Sequence, residues 1–195
     1  MDYSTPFGII QTDKKLSKII SDTTGLLIDE QTHMLEHSVE VQLPFLQFAL
    51  DERIENTKIV AIVLGDDIES SRFGKDLAVA IRESGKSITI IISSDLSHIG
   101  ERFDYMPFDV PTKDRVHSLD IEAIDRILDT DIEGFKTYMG KTKSTVCGRN
   151  PIIALLSALQ EISKRDRIEE KKLLSYYTSG ELTDDYSHTV GYASV

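Results

Sequence analysis

The chain has 195 residues, 40% hydrophobic and 28% charged, which suits one globular domain (residues 1–195) with a substantial core. Its net charge of −11 and pI near 4.9 argue against nucleic-acid and anionic-membrane partners, because the long-range field repels them. A single cysteine, Cys147, excludes an intrachain disulfide and fits a reducing cytoplasm. No charged segment with an apolar core opens the chain and no apolar run approaches a membrane span, so neither a signal peptide nor a membrane segment is expected.

Strand-like and helix-like segments alternate, which points to α/β layering. Thr5 to Ile10 reads as extended. Asp13 is placed to cap a short helix with Leu16, Ile19 and Ile20 on one face. Ser38 to Leu50 carries Val39, Leu43, Leu46 and Leu50 at helical spacing, with Pro44 bending the helix or marking its true first turn. Lys58–Leu64 reads as a buried strand and Ile68–Ser84 as a helix stopped by Gly85. Ser87–Ser93 reads as a second buried strand, and the unit implies a right-handed parallel crossover.

Gly100 to Pro111 is irregular, and its Phe103, Tyr105 and Phe108 either pack onto the core or line a pocket. Helices are expected over Lys113–Leu128, after Asp131, and from about Asn150-Pro151, where proline suits a first turn. Lys172–Thr178 and Thr189–Val195 read as strands joined by an acidic loop, Glu181 to Asp185.

Three polar clusters stand out. Ser93-Ser94-Asp95-Leu96-Ser97-His98 follows the apolar run Ile88–Ile92, so it leaves the sheet at a strand's carboxyl end, where open α/β sheets bind ligands. There Asp95 and His98 either do chemistry or merely shape a turn. Thr145-Val146-Cys147-Gly148-Arg149-Asn150-Pro151 precedes a helix whose free N–H groups favour a thiolate, a nucleophile and soft metal ligand. The alternative for Cys147 is a small buried hydrophobe. Arg149 either grips a carboxylate or phosphate or forms a surface ion pair. Glu36-His37-Ser38-Val39-Glu40 either caps a helix entrance or sets a ligand or base there. His33, His117 and His188 read as structural or solvent-facing.

Taken together and in order, Glu36-His37-Ser38-Val39-Glu40-Val41-Gln42-Leu43-Pro44-Phe45-Leu46, Ser93-Ser94-Asp95-Leu96-Ser97-His98 and Cys147-Gly148-Arg149-Asn150-Pro151-Ile152 resemble the Memo family, or AmmeMemoRadiSam-system protein B. The Thr5-Pro6-Phe7-Gly8 start and the Val190-Gly191-Tyr192-Ala193-Ser194 end fit as well. The family is similar in fold to LigB-type extradiol dioxygenases, which use non-haem iron. The resemblance implies a three-layer sandwich around a mixed, mainly parallel sheet. It also implies an altered metal pocket in which Cys147 is a ligand, His98 the acid/base and Asp95 its neighbour; Arg149, Glu36 and His37, from the residue reading above, are the candidate binding residues.

Family members carry about ninety further residues at the front, the size of a small domain. Those residues hold Pro-His-Ala-Gly-Tyr and Gly-Pro-x-His segments that supply two metal-binding histidines, and neither segment occurs here. Iron or copper is therefore expected to bind weakly or not at all in this chain, and apolar faces are expected to be covered by a homo-oligomer or partner fragment. By family analogy, radical-SAM and AMMECR-type proteins are partners, beside an unknown small molecule or peptide. Three readings follow: a redox-active dioxygenase-like pocket, a non-catalytic module binding a peptide or small anion, and a Cys-His-Asp hydrolase built on Cys147, His98 and Asp95.

Overall fold

A computed structural model describes residues 1–164 and 170–195. Tyr3–Thr5 (β1) and Gly8–Ile10 (β2) form an antiparallel hairpin with Tyr3 opposite Ile10 and Thr5 opposite Gly8. The expected single extended run is thus folded back on itself at Pro6-Phe7. Proline fixes the turn, the Phe7 N–H donates to Thr5 Oγ1 at 3.0 Å, and Gly8 takes φ +113°. Lys14–Thr24 (α1) begins where expected, with the Leu16 N–H donating to Asp13 Oδ1 at 3.0 Å. Leu16 and Ile20 are buried against the next long helix.

A short helix, Glu30–Met34 (α2), precedes the first polar cluster. The helix expected from Ser38 is shorter: a 3₁₀ turn over Glu40–Gln42 leads into Leu43–Leu50 (α3). Pro44 sits in the first turn of α3, where its missing N–H costs nothing. Leu43 and Gln47 turn inward, while Phe45 and Phe48 face outward. Ser70–Ser84 (α4) follows, capped by Glu69 through the Ser71 and Arg72 N–H groups and closed by Gly85 at φ +63°. It packs tightly on a later helix: a Cβ on Gly74 would stand 2.1 Å from the Ala154 carbonyl oxygen.

The two buried strands read at Lys58–Leu64 and Ser87–Ser93 do not form ladders. Val60, Ile62, Leu64, Ile88 and Ile90 pack against the α1/α4 core as inward-facing strand residues would. Their backbones find almost no neighbours, and a strand is defined by pairing, not by apolar side chains alone. The exception is a parallel bridge between Thr12 and Ile59, where the Asp13 N–H donates to the Ile59 carbonyl and the Ile59 N–H to that of Gln11.

At the end of the second polar cluster, His98–Ile99 (β3) forms a short strand. Lys113–Leu128 (α5) matches its expected bounds, and Ile132–Thr142 (α6) follows its Asp131 cap. Arg149–Ser163 (α7) starts at the third cluster. Ser175–Thr178 (β4) and Thr189–Ser194 (β5) flank Ser179–Thr183 (α8), a helix where a loop was expected. Its signal is a capping box: the Glu181 N–H donates to Thr178 Oγ1 and the Thr178 N–H to Glu181.

The C-terminal sheet has the order β3-β5-β4, with both pairs antiparallel. The chain is therefore α/β, and its ladders are antiparallel where a mainly parallel sheet was expected. The main core lies between α5, α6 and α7, around Phe135, Ile124 and Leu156, and closes against Leu96 behind the second polar cluster. Tyr105 and Phe108 pack down as core, and the Tyr105 hydroxyl donates to the Thr142 carbonyl at 2.9 Å.

Candidate functional site

Two of the three clusters meet. The segment Asp95–His98 is clamped between β5 and the residues that lead into α7. On one side the Leu96 N–H donates to the Gly191 carbonyl and the Gly191 N–H to that of Ser97. On the other, the His98 N–H donates to Thr145 Oγ1 at 2.7 Å and the Thr145 hydroxyl returns a bond to the His98 carbonyl at 2.9 Å. Ser97 Oγ and Ser144 Oγ lie 2.8 Å apart in the buried layer beneath.

This clamp brings Cys147 to Asp95. The Asp95 backbone N–H donates to Cys147 Sγ at 3.2 Å, and Ser94 Oγ lies 3.7 Å from the same sulfur. The Gly148 N–H, at the start of α7, donates to Ser94 Oγ at 2.9 Å, and the Ser94 hydroxyl donates on to the Asp95 carbonyl at 2.7 Å. The helix-start amide expected to serve the sulfur thus serves Ser94, and an amide of the opposing segment serves the sulfur. Cys147 is exposed, unlike the buried hydrophobe of the alternative reading.

His98 has both ring nitrogens engaged. Nδ1 lies 3.1 Å from the Thr145 carbonyl, which only accepts, so Nδ1 carries a hydrogen. Nε2 lies 3.4 Å from Asp95 Oδ2. Phe103 meets the ring in a T-shaped contact with centroids 5.2 Å apart, and the Arg102 guanidinium lies over the Phe103 ring, 4.5 Å from its centroid. Of the three aromatics in the irregular stretch, Phe103 is the one that lines the site.

Arg149 is tied to Asp66 at 3.2 Å, and Asn150 Nδ2 donates to both Gly65 O at 3.0 Å and Asp66 Oδ1 at 3.2 Å. The guanidinium therefore holds the loop before α4. Glu36 Oε1 accepts the Ser38 N–H at 2.7 Å, a bond that holds its carboxyl below the usual range, and His37 is 85% exposed beside it. Among the described residues neither Glu36 nor His37 bonds to Asp95, His98 or Cys147. Their cluster reaches the site through Gln42, whose Nε2 donates to Ser93 Oγ at 3.1 Å.

Sequence reasoning missed Gln42, Thr145 and Asp120. Asp120 lies in the middle of α5 and is completely buried, which pushes its carboxyl up. A charged residue at a core-facing position of an otherwise regular amphipathic helix was the available signal.

The residues present do not by themselves fit a metal ion. Among the described residues no group of three or more His, Cys, Asp and Glu side chains stands close enough to hold one. Cys147 is open, while His98 turns Nδ1 to the Thr145 carbonyl and Nε2 toward Asp95, so sulfur and imidazole do not form such a group. Two surface clefts, of ≈ 590 and ≈ 420 Å³, lie elsewhere: one beside Asp13, Lys58 and Lys86, the other between Phe7, Gln47 and Ile54. Among the described residues no helix is long and apolar enough to cross a membrane.

The whole chain, residues 1–195, matches the family model for Memo-like proteins. It is 36% identical over 195 residues to a MEMO1 family protein of Methanococcoides burtonii, with 99% of this chain and 66% of the relative covered. A MEMO1 family protein of Pyrococcus furiosus is 35% identical over 201 residues, with 100% and 67% covered. One of Thermococcus kodakarensis is 33% identical over 197 residues, with 98% and 66% covered. The chain thus spans about two thirds of the length of the curated relatives it matches. With its three motifs in order along that whole match, the chain belongs to the Memo family.

Proposed function

We propose that this chain carries the thiol and proton-handling side of a Memo-type pocket built like that of a non-haem dioxygenase, and that further polypeptide completes the pocket. The observation that carries this reading is the convergence on Asp95: its N–H holds Cys147 Sγ at 3.2 Å and its carboxylate faces His98 Nε2 at 3.4 Å. In this reading His98 holds or passes a proton at Nε2, Asp95 orients the ring, and Cys147 presents its sulfur to the open side. Iron or copper is proposed only for the completed pocket, where it would supply redox chemistry. The three-layer sandwich is proposed for the same form, with Lys58–Leu64 and Ser87–Ser93 as its inner strands.

The hydrolase reading needs His98 bonded to Cys147, and among the described residues the hydrogen bonds of Cys147 Sγ go to Ser94 and Asp95 instead. In the anion-binding module an incoming anion must compete with Asp66 for Arg149, a surface pair worth little by itself. Radical-SAM and AMMECR-type partners rest on family analogy alone.

The test is metal retention. The protein isolated anaerobically from its native cell is weighed intact, and its iron and copper are measured beside those of the 195-residue chain. We expect a native mass above 21.9 kDa, metal in that form that falls in Cys147→Ser, and little in the chain alone. Stoichiometric metal in the chain alone, or none in the longer form, contradicts the proposal.

A further inference from the structure

The structure assigns to Asp120 the task of positioning the Asp95–His98 segment from beneath, by holding the Ser97 backbone N–H. This deepens the reading above and rests on it. Asp120 projects from the middle of α5 with 0% of its surface exposed. Its Oδ1 accepts the Ser97 N–H at 3.1 Å and its Oδ2 accepts the Tyr176 hydroxyl at 2.9 Å. Ser97 lies between Asp95 and His98, so an anchor on its amide fixes the short turn whose two ends must meet at 3.4 Å.

The surroundings are built around this carboxyl. A Cβ on Gly191, on the facing strand β5, would stand 1.9 Å from Asp120 Oδ2, so that strand position leaves room for the carboxyl and no side chain. Tyr176, the other donor, comes from β4 and is itself packed edge-on by His117 at 5.1 Å. Three separate elements thus converge on one acidic side chain that touches none of Asp95, His98 or Cys147 directly. A buried carboxyl is costly unless its partners repay it. Here the repayment is the anchoring of the Ser97 N–H, within the two-residue link between Asp95 and His98.

The site side of the same segment is held independently by Thr145, which bonds both the N–H and the carbonyl of His98. The β5 side is held by the two backbone bonds with Gly191, which leave the Ser97 N–H unused, and Asp120 adds the constraint from beneath by taking that N–H. Asp120 is therefore a positioning residue and takes no part in proton transfer.

The test reads the ring nitrogens of His98 by ¹⁵N NMR in the 195-residue chain, in wild type, Asp95→Asn, Asp120→Asn and Asp120→Ala. Asp95→Asn moves the Nε2 signal, which establishes the pair itself. A silent Asp95→Asn overturns the pair, and with it the site reading, whatever Asp120 does. Given the pair, Asp120→Ala is expected to move the Nε2 signal in the same direction. Asp120→Asn, which keeps an acceptor for the Ser97 N–H, is expected to restore the wild-type signal. A folded Asp120→Ala with an unchanged signal overturns the positioning role, and so does an Asp120→Asn that fails to rescue. Should Asp120→Ala not fold, hydrogen exchange in the wild type decides. An anchored Ser97 amide exchanges only with global unfolding, whereas exchange as fast as that of the exposed Ile91 amide overturns the proposal.

Discussion

The Asp95 backbone N–H points at Cys147 Sγ, 3.2 Å away across a separation of 52 residues. That bond joins the second and third sequence motifs and makes the cysteine part of the histidine's neighbourhood without making it the histidine's partner. The sulfur is fixed by backbone, the imidazole by a carboxylate and a carbonyl. The two can present separate functional groups to one open face.

The close approach of α7 to this segment makes Gly148 irreplaceable. A Cβ there would stand 2.4 Å from Ser94 Cβ and 2.5 Å from Ser94 Oγ, while its φ of −86° suits any residue. The obstacle is contact, not backbone conformation. Gly148→Ala is expected to cost about 1–3 kcal/mol, typical of overpacking, in a urea titration, and to alter the rate of Cys147 alkylation. An unchanged midpoint together with an unchanged rate would show that Ser94 does not support the sulfur.

Gly74→Ala provides a control far from the site. Alanine in mid-helix is intrinsically favourable by about 1 kcal/mol over glycine. Here the Cβ would meet the Ala154 carbonyl at 2.1 Å and Ser157 Cβ at 2.8 Å, so α4 and α7 must move apart. Net destabilisation is expected from thermal unfolding, with Cys147 reactivity unchanged. Stabilisation would mean that the two helices are not packed this closely.

Stability should respond to pH at Asp13. The hydrogen bond from Lys86, then that from the Leu16 N–H, holds its carboxyl below the usual carboxylate range. A depressed folded-state pKa contributes stability above the unfolded value, and that contribution is lost as pH falls through the folded one. Asp13→Asn keeps a capping oxygen but gives up the charge. The wild type should therefore exceed the variant in stability at neutral pH by more than it does below about pH 3. Equal gaps at both pH values would remove Lys86 from the account. Asp120 has the opposite sign. Burial raises its carboxyl, so its contribution is complete below the unfolded value and fades as pH rises through the folded one.

Phe45 and Phe48 on α3 are 74% and 81% exposed, and Phe7 and Ile9 of the hairpin are exposed as well. Exposed apolar surface on this scale is what a partner or a second copy would cover. We expect the isolated chain to self-associate in light scattering. Phe45→Lys with Phe48→Lys should return it to a monomer with stability changed by no more than about 0.5 kcal/mol, as for exposed positions. A wild-type chain that is already a clean, dilute monomer contradicts this.

Much of the helical part was legible. Asp13, Asp131 and Gly85 stop or start helices where capping chemistry says they should, and α5 has its expected bounds. Of the strands, Thr189–Val195 and the end of Lys172–Thr178 were legible, whereas Lys58–Leu64 and Ser87–Ser93 have the apolar composition of buried strands but few pairing partners. Composition reports what a side chain wants and says nothing of what the backbone meets. The site was half legible. Asp95, His98 and Cys147 could be named from their motifs, and the last of these could be given a ligand's role by resemblance. That His98 would turn to Thr145 and Asp95 instead of toward Cys147 depends on a contact between segments 47 residues apart, which no local pattern encodes.

The most direct test of the division between sulfur and imidazole is the alkylation rate of Cys147 by iodoacetamide in wild type and His98→Ala, measured across pH. Since His98 turns to Asp95 and Thr145 and Cys147 Sγ bonds to Asp95 and Ser94, the account predicts that Cys147 reacts at nearly the same rate, with the same pH profile, in both. A His98→Ala rate lower by about 100-fold or more, the size of a lost general base, would make His98 the base for Cys147 and contradict the account.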